Sequence, residues 1–279
     1  MLAKLIKHEL VASGRIMLPM FVLVAVLTIL NSITIHFSRL EILNGLIATI
    51  YGLALMVMFI LTAVVIIYRF YKNLTTDEGY LMFTLPVRPW QLVLSKLLCA
   101  LIWTVACSVV MILTLFVIGG SGISTDLIDV FPVLAQGLSE ANAATGGQIP
   151  ALIIEFILAC LIGAAATILQ VYVAIALGQL FNKSRVAAAV GFYIGISIVL
   201  QIVAVALMLG GAMALQSIPM LANIVEAYAE GLVDSGSGAV NAATTLQWFF
   251  NMTTLWNAVL SVIFFFTTTT IFKRRLNLE

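Results

Sequence analysis

The chain is dominated by long apolar runs without a single ionisable side chain. Six such runs occur, and Asp, Glu, Lys, Arg and His are missing from all of 16–35, 42–68, 97–125, 156–182, 186–225 and 235–272. A helix of about 20 apolar residues crosses the hydrocarbon core of a bilayer. Only 9% of the 279 residues are charged, whereas a soluble domain carries about 25%. The sequence therefore predicts an all-α integral membrane protein with six transmembrane helices.

The whole chain, 1–279, reads as a single transmembrane domain. Its apolar runs are long and continuous, unlike the short alternating strands of a barrel. The predicted spans are about 16–35, 46–68, 97–118, 151–180, 186–209 and 248–272.

Three of the segments outside these spans are considered first: the N-terminal segment and the two long segments expected on the outer side. Residues 1–15 place Leu2, Leu5, Ile6 and Leu10 on one helical face, which predicts an elbow helix lying along the inner leaflet. Residues 119–149 and 210–247 are expected on the outer side, and the first of them is predicted to contain a helix bent at Pro132.

The basic residues are distributed unevenly between the two sides of the predicted membrane. Of the 13 Lys and Arg, all but Arg39 fall in the N-terminal segment, in 69–96, in 183–185 or in the last seven residues. Cytoplasmic segments of membrane proteins carry the excess of Lys and Arg. The count predicts a multi-pass protein of the cell membrane with both termini and the 69–96 segment in the cytosol.

The residues that enzymes and ion-driven transporters need are largely missing. No P-loop, G-x-S-x-G or H-E-x-x-H pattern occurs, so we expect no catalytic site and no ATP bound by this chain. His8 and His36 are predicted on opposite sides of the bilayer, which excludes a metal site built from both. We therefore expect neither catalytic residues nor a cofactor or metal in this chain.

Other residue classes give further exclusions. The net charge of +1 leaves no footprint for nucleic acid. The three cysteines fall in apolar runs and are expected to be packing residues. Without charges at depth a proton-driven pump is disfavoured, and Glu155 is interpreted as a rim residue near the outer end of the fourth span.

The central segment 69–96 is the longest polar interruption flanked by basic residues. Thr75 and Glu78 have the spacing of a capping box, which predicts a short helix over about 78–85 that ends at Pro86. Pro89 is suited to open the next helix. The short helix would display Tyr80, Met82 and Phe83. Two interpretations stay open: a linker helix resting on the headgroups, or a docking element for a cytosolic partner.

The sequence DEGYLMFTLPV (77–87), followed by QLVLSK (91–96), resembles the permease subunits of ABC-2-type bacterial ABC transporters. The resemblance implies that this loop is a coupling helix that fits a groove on an ATPase subunit. The docking residues would then be the following: Asp77, Glu78, Tyr80, Met82 and Phe83.

The same resemblance implies a type V exporter arrangement. It would contain two permease subunits, which are copies of this chain or of a relative, and two ATPase subunits that bind ATP and Mg²⁺. Besides these partners the chain would contact only membrane lipids and its substrate.

Uncharged polar residues recur within the fourth and fifth spans. Gln170 and Gln201 accompany small residues at helical spacing, and small residues let helices approach closely in membranes. They serve packing within the subunit, or they face a translocation path. Such weak polarity suits an amphipathic or hydrophobic substrate, such as a peptide or a lipid-like molecule. The alternative functions are a non-transporting scaffold or sensor partner and, less favoured by the missing charges, a secondary transporter.

Overall fold

The computed structural model describes residues 2–36, 41–75, 89–123, 127–181, 184–217 and 238–274, and these are almost entirely helical with no strand among them. The helices within these ranges are α1 (Leu2–His36), α2 (Glu41–Thr75), α3 (Pro89–Ile123), α4 (Leu127–Ala144), α5 (Ile149–Gly178), α6 (Arg185–Ser217) and α7 (Gly238–Arg274).

Six of these helices are long and apolar enough to cross a membrane, all except α4. Five of the predicted spans lie within one helix each, and the fourth, 151–180, runs two residues past the end of α5 at Gly178. The predicted fold of a multi-pass helical membrane protein is therefore confirmed. The 35 residues of α1, α2 or α3 extend over about 52 Å, whereas the hydrocarbon core is about 30 Å thick. About 20 Å of each helix therefore reaches beyond the core, into the headgroups and water.

The helix boundaries differ from the prediction at the N-terminus and in the second outer segment. Residues 2–15 form the first turns of α1, so a separate elbow helix is not confirmed. Pro19 lies inside α1 and lacks the N–H that would bond to the Arg15 carbonyl, yet the helix continues through it, and Gly14 fits against the ring of Trp103. In the segment 210–247, α6 continues to Ser217 and α7 already begins at Gly238.

The chain divides into two compact units, Met1–Gln136 with Phe272–Glu279, and Gly137–Ile271. In the first unit α1 packs on α2 and α3, and α2 also contacts α3. Its buried residues recur every seven positions, which keeps the same side of each helix towards its neighbours. Val24, Met58 and Cys107 form one buried cluster, and the residues seven positions before and after them are buried as well: Met17, Asn31, Tyr51, Val65, Ala100 and Thr114.

In the second unit α5 packs against α6. The two helices are closest near the turn that joins them, where a Cβ atom placed on Gly178 would lie 2.7 Å from the Cβ atom of Ala189. Only glycine fits such an approach without displacing a neighbour. This contact determines how α6 leaves the end of α5.

The turn between α4 and α5 also lies in the second unit. Gly146 and Gly147 have φ angles of 63° and 85°, a conformation that glycine adopts without steric cost. The Gly147 amide donates to the Asn142 carbonyl at 2.7 Å, and the Asn142 side chain accepts from the Ile149 amide at 3.3 Å. These bonds cap the end of α4 and the start of α5. The predicted helix around Pro132 is therefore confirmed as α4.

Candidate functional site

The described chain stops at Thr75 and resumes at Pro89. The residues predicted to dock on an ATPase therefore lie outside the described residues, and their role stays a prediction: Asp77, Glu78, Tyr80, Met82 and Phe83. What the structure does describe is how the helices α2 and α3, which bracket this loop, are held.

A buried charge cluster joins these two helices to α1. The Lys96 ammonium of α3 lies 2.7 Å from Oε1 of Glu9 in α1. The Arg69 guanidinium of α2 approaches the same carboxylate, with Nη2 3.4 Å from Oε2. Arg69 Nη1 also donates to the Glu9 carbonyl oxygen at 3.1 Å. One carboxylate thus connects three helices through charge-assisted hydrogen bonds.

The three side chains of the charge cluster differ in how far water reaches them. The side chain of Lys96 is 4% exposed, that of Glu9 10% and that of Arg69 21%. A buried ion pair adds little net stability, but removal of one partner leaves an uncompensated charge and is strongly destabilising. Lys96 therefore depends on Glu9 more than Arg69 does.

Polar contacts extend the charge cluster along the interface of α1 and α3. The Ser13 hydroxyl donates to the Glu9 carbonyl, and its oxygen lies 3.6 Å from the Cys99 sulfur. Ser13 and Cys99 are both buried. The thiol of Cys99 therefore lies next to the charge cluster, and the packing of α1 against α3 shields it from water.

The charge cluster lies close to the point where the central loop leaves the helices. Glu9 and Lys96 are each seven residues after the start of their helices, and Arg69 is six before the end of α2. Six or seven residues correspond to about 10 Å along a helix, so each charged residue lies about that far from the end of its helix. Next to Arg69, the Phe70 ring lies 6.0 Å from that of Phe272 near the end of α7. Four helix ends in the first compact unit thus meet at this place.

Sequence reasoning missed the charge cluster. It placed Arg69 and Lys96 as the flanks of a loop and Glu9 in an interfacial helix. A signal was present, because Glu9 is the only acidic residue before position 41. Two basic residues and one acid near three helix ends on the same side of the membrane are candidates for an ion pair.

The two glutamines considered for a translocation path occupy different environments. Gln170 in α5 is half-buried, and its side-chain Nε2 donates to the Ser197 hydroxyl of α6 at 2.8 Å. Gln201, further along α6, is exposed. Gln170 therefore makes a packing contact of the kind that stabilises membrane helix pairs. A role for Gln170 or Gln201 in a path stays a prediction.

Within the described ranges, no group of three or more His, Cys, Asp or Glu is placed to hold a metal ion. Comparison of the chain with protein-family models, curated proteins and solved structures finds no match. The features of this chain that bear on a function are therefore the sequence pattern, the six apolar helices and the charge cluster.

Proposed function

We propose that this chain is the transmembrane permease subunit of an ATP-driven exporter of the ABC-2 type in the bacterial cell membrane. The resemblance of residues 77–96 and the six apolar helices support this assignment. The single observation that carries it is the Glu9 charge cluster, because it ties α1 to both helices that bracket the central loop. A loop that receives force from a partner needs such a rigid attachment.

The charge cluster suits a coupling role for a mechanical reason. A displacement of the 76–88 segment acts first on the adjoining ends of α2 and α3. Because Arg69 and Lys96 bind the same carboxylate, either helix end moves together with α1 or breaks a buried ion pair. Movement of one helix end alone would leave Lys96, whose side chain is 4% exposed, without its counter-charge inside the packed interface, so in this proposal the three helix ends move as one body.

The partners in this proposal supply what the chain lacks. Two ATPase subunits bind ATP and Mg²⁺ and move together when ATP is bound. The docking residues Tyr80, Met82 and Phe83 transmit this movement to the helices. A second permease, a copy of this chain or a relative, completes the path. Both termini and the central loop face the cytosol, as the positive-inside rule predicts. The substrate is an amphipathic or hydrophobic molecule, peptide or lipid-like.

Purification of the tagged full chain from its native membrane tests the proposal. We expect an ABC ATPase to co-purify and to hydrolyse ATP. The double substitution Tyr80→Ala with Phe83→Ala should reduce the recovered ATPase at least tenfold, because loss of one interface anchor costs about 2 kcal/mol or more. Recovery of the ATPase is quantified by mass spectrometry of the eluate.

Phe181→Ala provides the matched control. Phe181 is also an exposed aromatic residue on a segment predicted to be cytosolic, and its loss should leave ATPase recovery unchanged. If the wild-type chain brings down no ATPase, the exporter assignment is wrong and a scaffold or sensor role takes its place. If the double variant retains the ATPase while Phe181→Ala loses it, docking occurs at the segment 181–185 and not at the central loop.

A further inference from the structure

Glu155 is a carboxylate within the apolar part of α5, in the second compact unit. It lies six residues after the start of the helix at Ile149, about 9 Å along its axis. Its Oε1 accepts a hydrogen bond of 3.4 Å from the Asn251 side-chain amide of α7. Its Oε2 is buried and has no hydrogen-bond partner. A buried carboxylate oxygen without a partner in the protein is rare.

Within the described residues of the second unit, no cation reaches this carboxylate. Among the described residues of 137–271, Arg185 is the only Lys, Arg or His. Arg185 begins α6, next to the far end of α5 at Gly178. Glu155 is 23 residues before Gly178 in one continuous helix, a separation of about 35 Å. Acidic residues within transmembrane segments normally pair with a counter-charge or face a polar path.

A cavity lies against the residue that contacts Glu155. Its volume is about 470 Å³, and it is lined by Trp248, Asn251, Met252, Thr254, Leu255 and Ala258. All six lining residues belong to α7, so the cavity is an open groove on one helix face, mostly apolar with a few polar groups. Asn251 belongs both to the cavity lining and to the hydrogen bond with Glu155.

The surroundings of the carboxylate are apolar and aromatic. Phe156, next to Glu155, stacks edge-on against Phe250, next to Asn251, with ring centroids 5.7 Å apart. Trp248 is largely exposed at the cavity. A positive head group could therefore bind at the carboxylate while an apolar chain lies along Trp248, Met252 and Leu255. Aromatic faces add attraction for a cation.

We infer that this cavity binds an amphiphile with a cationic head, and that the head is held by Glu155 and Asn251. The partner is identified by charge complementarity, because the described part of the unit supplies no cation of its own there. In the proposed exporter this amphiphile would be the transported substrate, and that role rests on the proposed function. The binding itself does not depend on an ATPase.

Tryptophan quenching by brominated amphiphiles tests the inference on the full chain in phosphatidylcholine nanodiscs. Trp90, Trp103 and Trp256 are replaced by Phe, so that Trp248 in the cavity is the only fluorophore. The probes are bromoundecyl-trimethylammonium and bromoundecanol, which share the alkyl chain and the quencher but differ in charge. We expect saturable quenching by the cation at about tenfold lower concentration than by the alcohol, the effect of one charge-assisted contact.

Two substitutions separate a specific contact from general attraction of cations. Glu155→Gln should remove the tenfold preference and leave quenching by the alcohol unchanged. Glu140→Gln, which removes an exposed carboxylate of the same unit, should leave the preference intact. Glu155→Asp retains the charge and should retain most of the preference, which keeps the test valid if the Gln variant fails to fold.

Equal quenching by the two probes in the parent chain would overturn the inference. A preference that survives in Glu155→Gln would overturn it as well. Since no ATPase is present, a failure here leaves the exporter assignment standing. If the cation is preferred but the chain recruits no ATPase, the binding site is supported and the exporter assignment is wrong.

Discussion

Substitution of Glu9 by Gln removes the negative charge from the cluster and leaves the shape of the side chain nearly unchanged. Lys96, whose side chain is 4% exposed, then becomes a buried cation without a counter-charge. Arg69 is partly solvated and keeps its hydrogen bond to the carbonyl oxygen of residue 9. We therefore expect the cost of Glu9→Gln to come mainly from Lys96.

The size of this cost can be bounded from two directions. Breaking a buried ion pair by removing one partner destabilises proteins by about 3–5 kcal/mol. A lysine with an ordinary pKa near 10.4 can also become neutral at pH 7 at a cost of about 5 kcal/mol, which sets a ceiling. We expect the free energy of opening the contact between α1 and α3 to fall by about 3 kcal/mol.

Cys99 reports on this opening. It is 6% exposed and lies beside Ser13, so a maleimide reaches it only when α1 and α3 separate. With Cys107 and Cys160 replaced by Ala, Cys99 is the only thiol in the chain. If labelling follows local opening, a loss of about 3 kcal/mol accelerates it about a hundredfold.

Two variants serve as controls for this measurement. Glu140→Gln removes an exposed carboxylate and should leave the labelling rate of Cys99 unchanged. Glu9→Gln combined with Lys96→Met removes both buried charges and should restore most of the protection, because apolar replacement of a whole ion pair is often neutral. If Glu9→Gln labels Cys99 no faster than the parent chain, the cluster does not hold the three helices together.

Two further predictions concern packing and topology. Gly178→Ala should destabilise the pair of α5 and α6 by about 1–3 kcal/mol, since its Cβ would lie 2.7 Å from that of Ala189. Thermal unfolding in detergent measures this, and Gly191→Ala, where nothing lies within 4 Å, should be neutral or slightly stabilising. In the cysteine-free chain, an impermeant maleimide added outside should label Ala144→Cys and spare Ser184→Cys. Labelling in the reverse order would invert the proposed orientation.

Much of the fold could be predicted from the sequence. Runs of apolar residues longer than about 20, with few charges, have only one stable form in a bilayer, because every backbone polar group must be bonded within the segment. Each of the six predicted spans therefore coincides with one helix, apart from two residues at the end of the fourth. Helix ends were harder, as residues 2–15 illustrate. Nothing in the local sequence tells whether a helix stops where it leaves the hydrocarbon core.

The contacts that suggest a function depend on tertiary structure. Glu9 lies 60 residues from Arg69 and 87 from Lys96 in the sequence, and Glu155 lies 96 residues from Asn251. The sequence pattern places each of these residues in or beside a predicted helix and near one side of the membrane. Which side chains meet depends on the register and rotation of packed helices, set by contacts such as Val24 with Met58 and Cys107. The sequence alone thus determined the class of protein and its six spans, and only packing decided where its few charges pair.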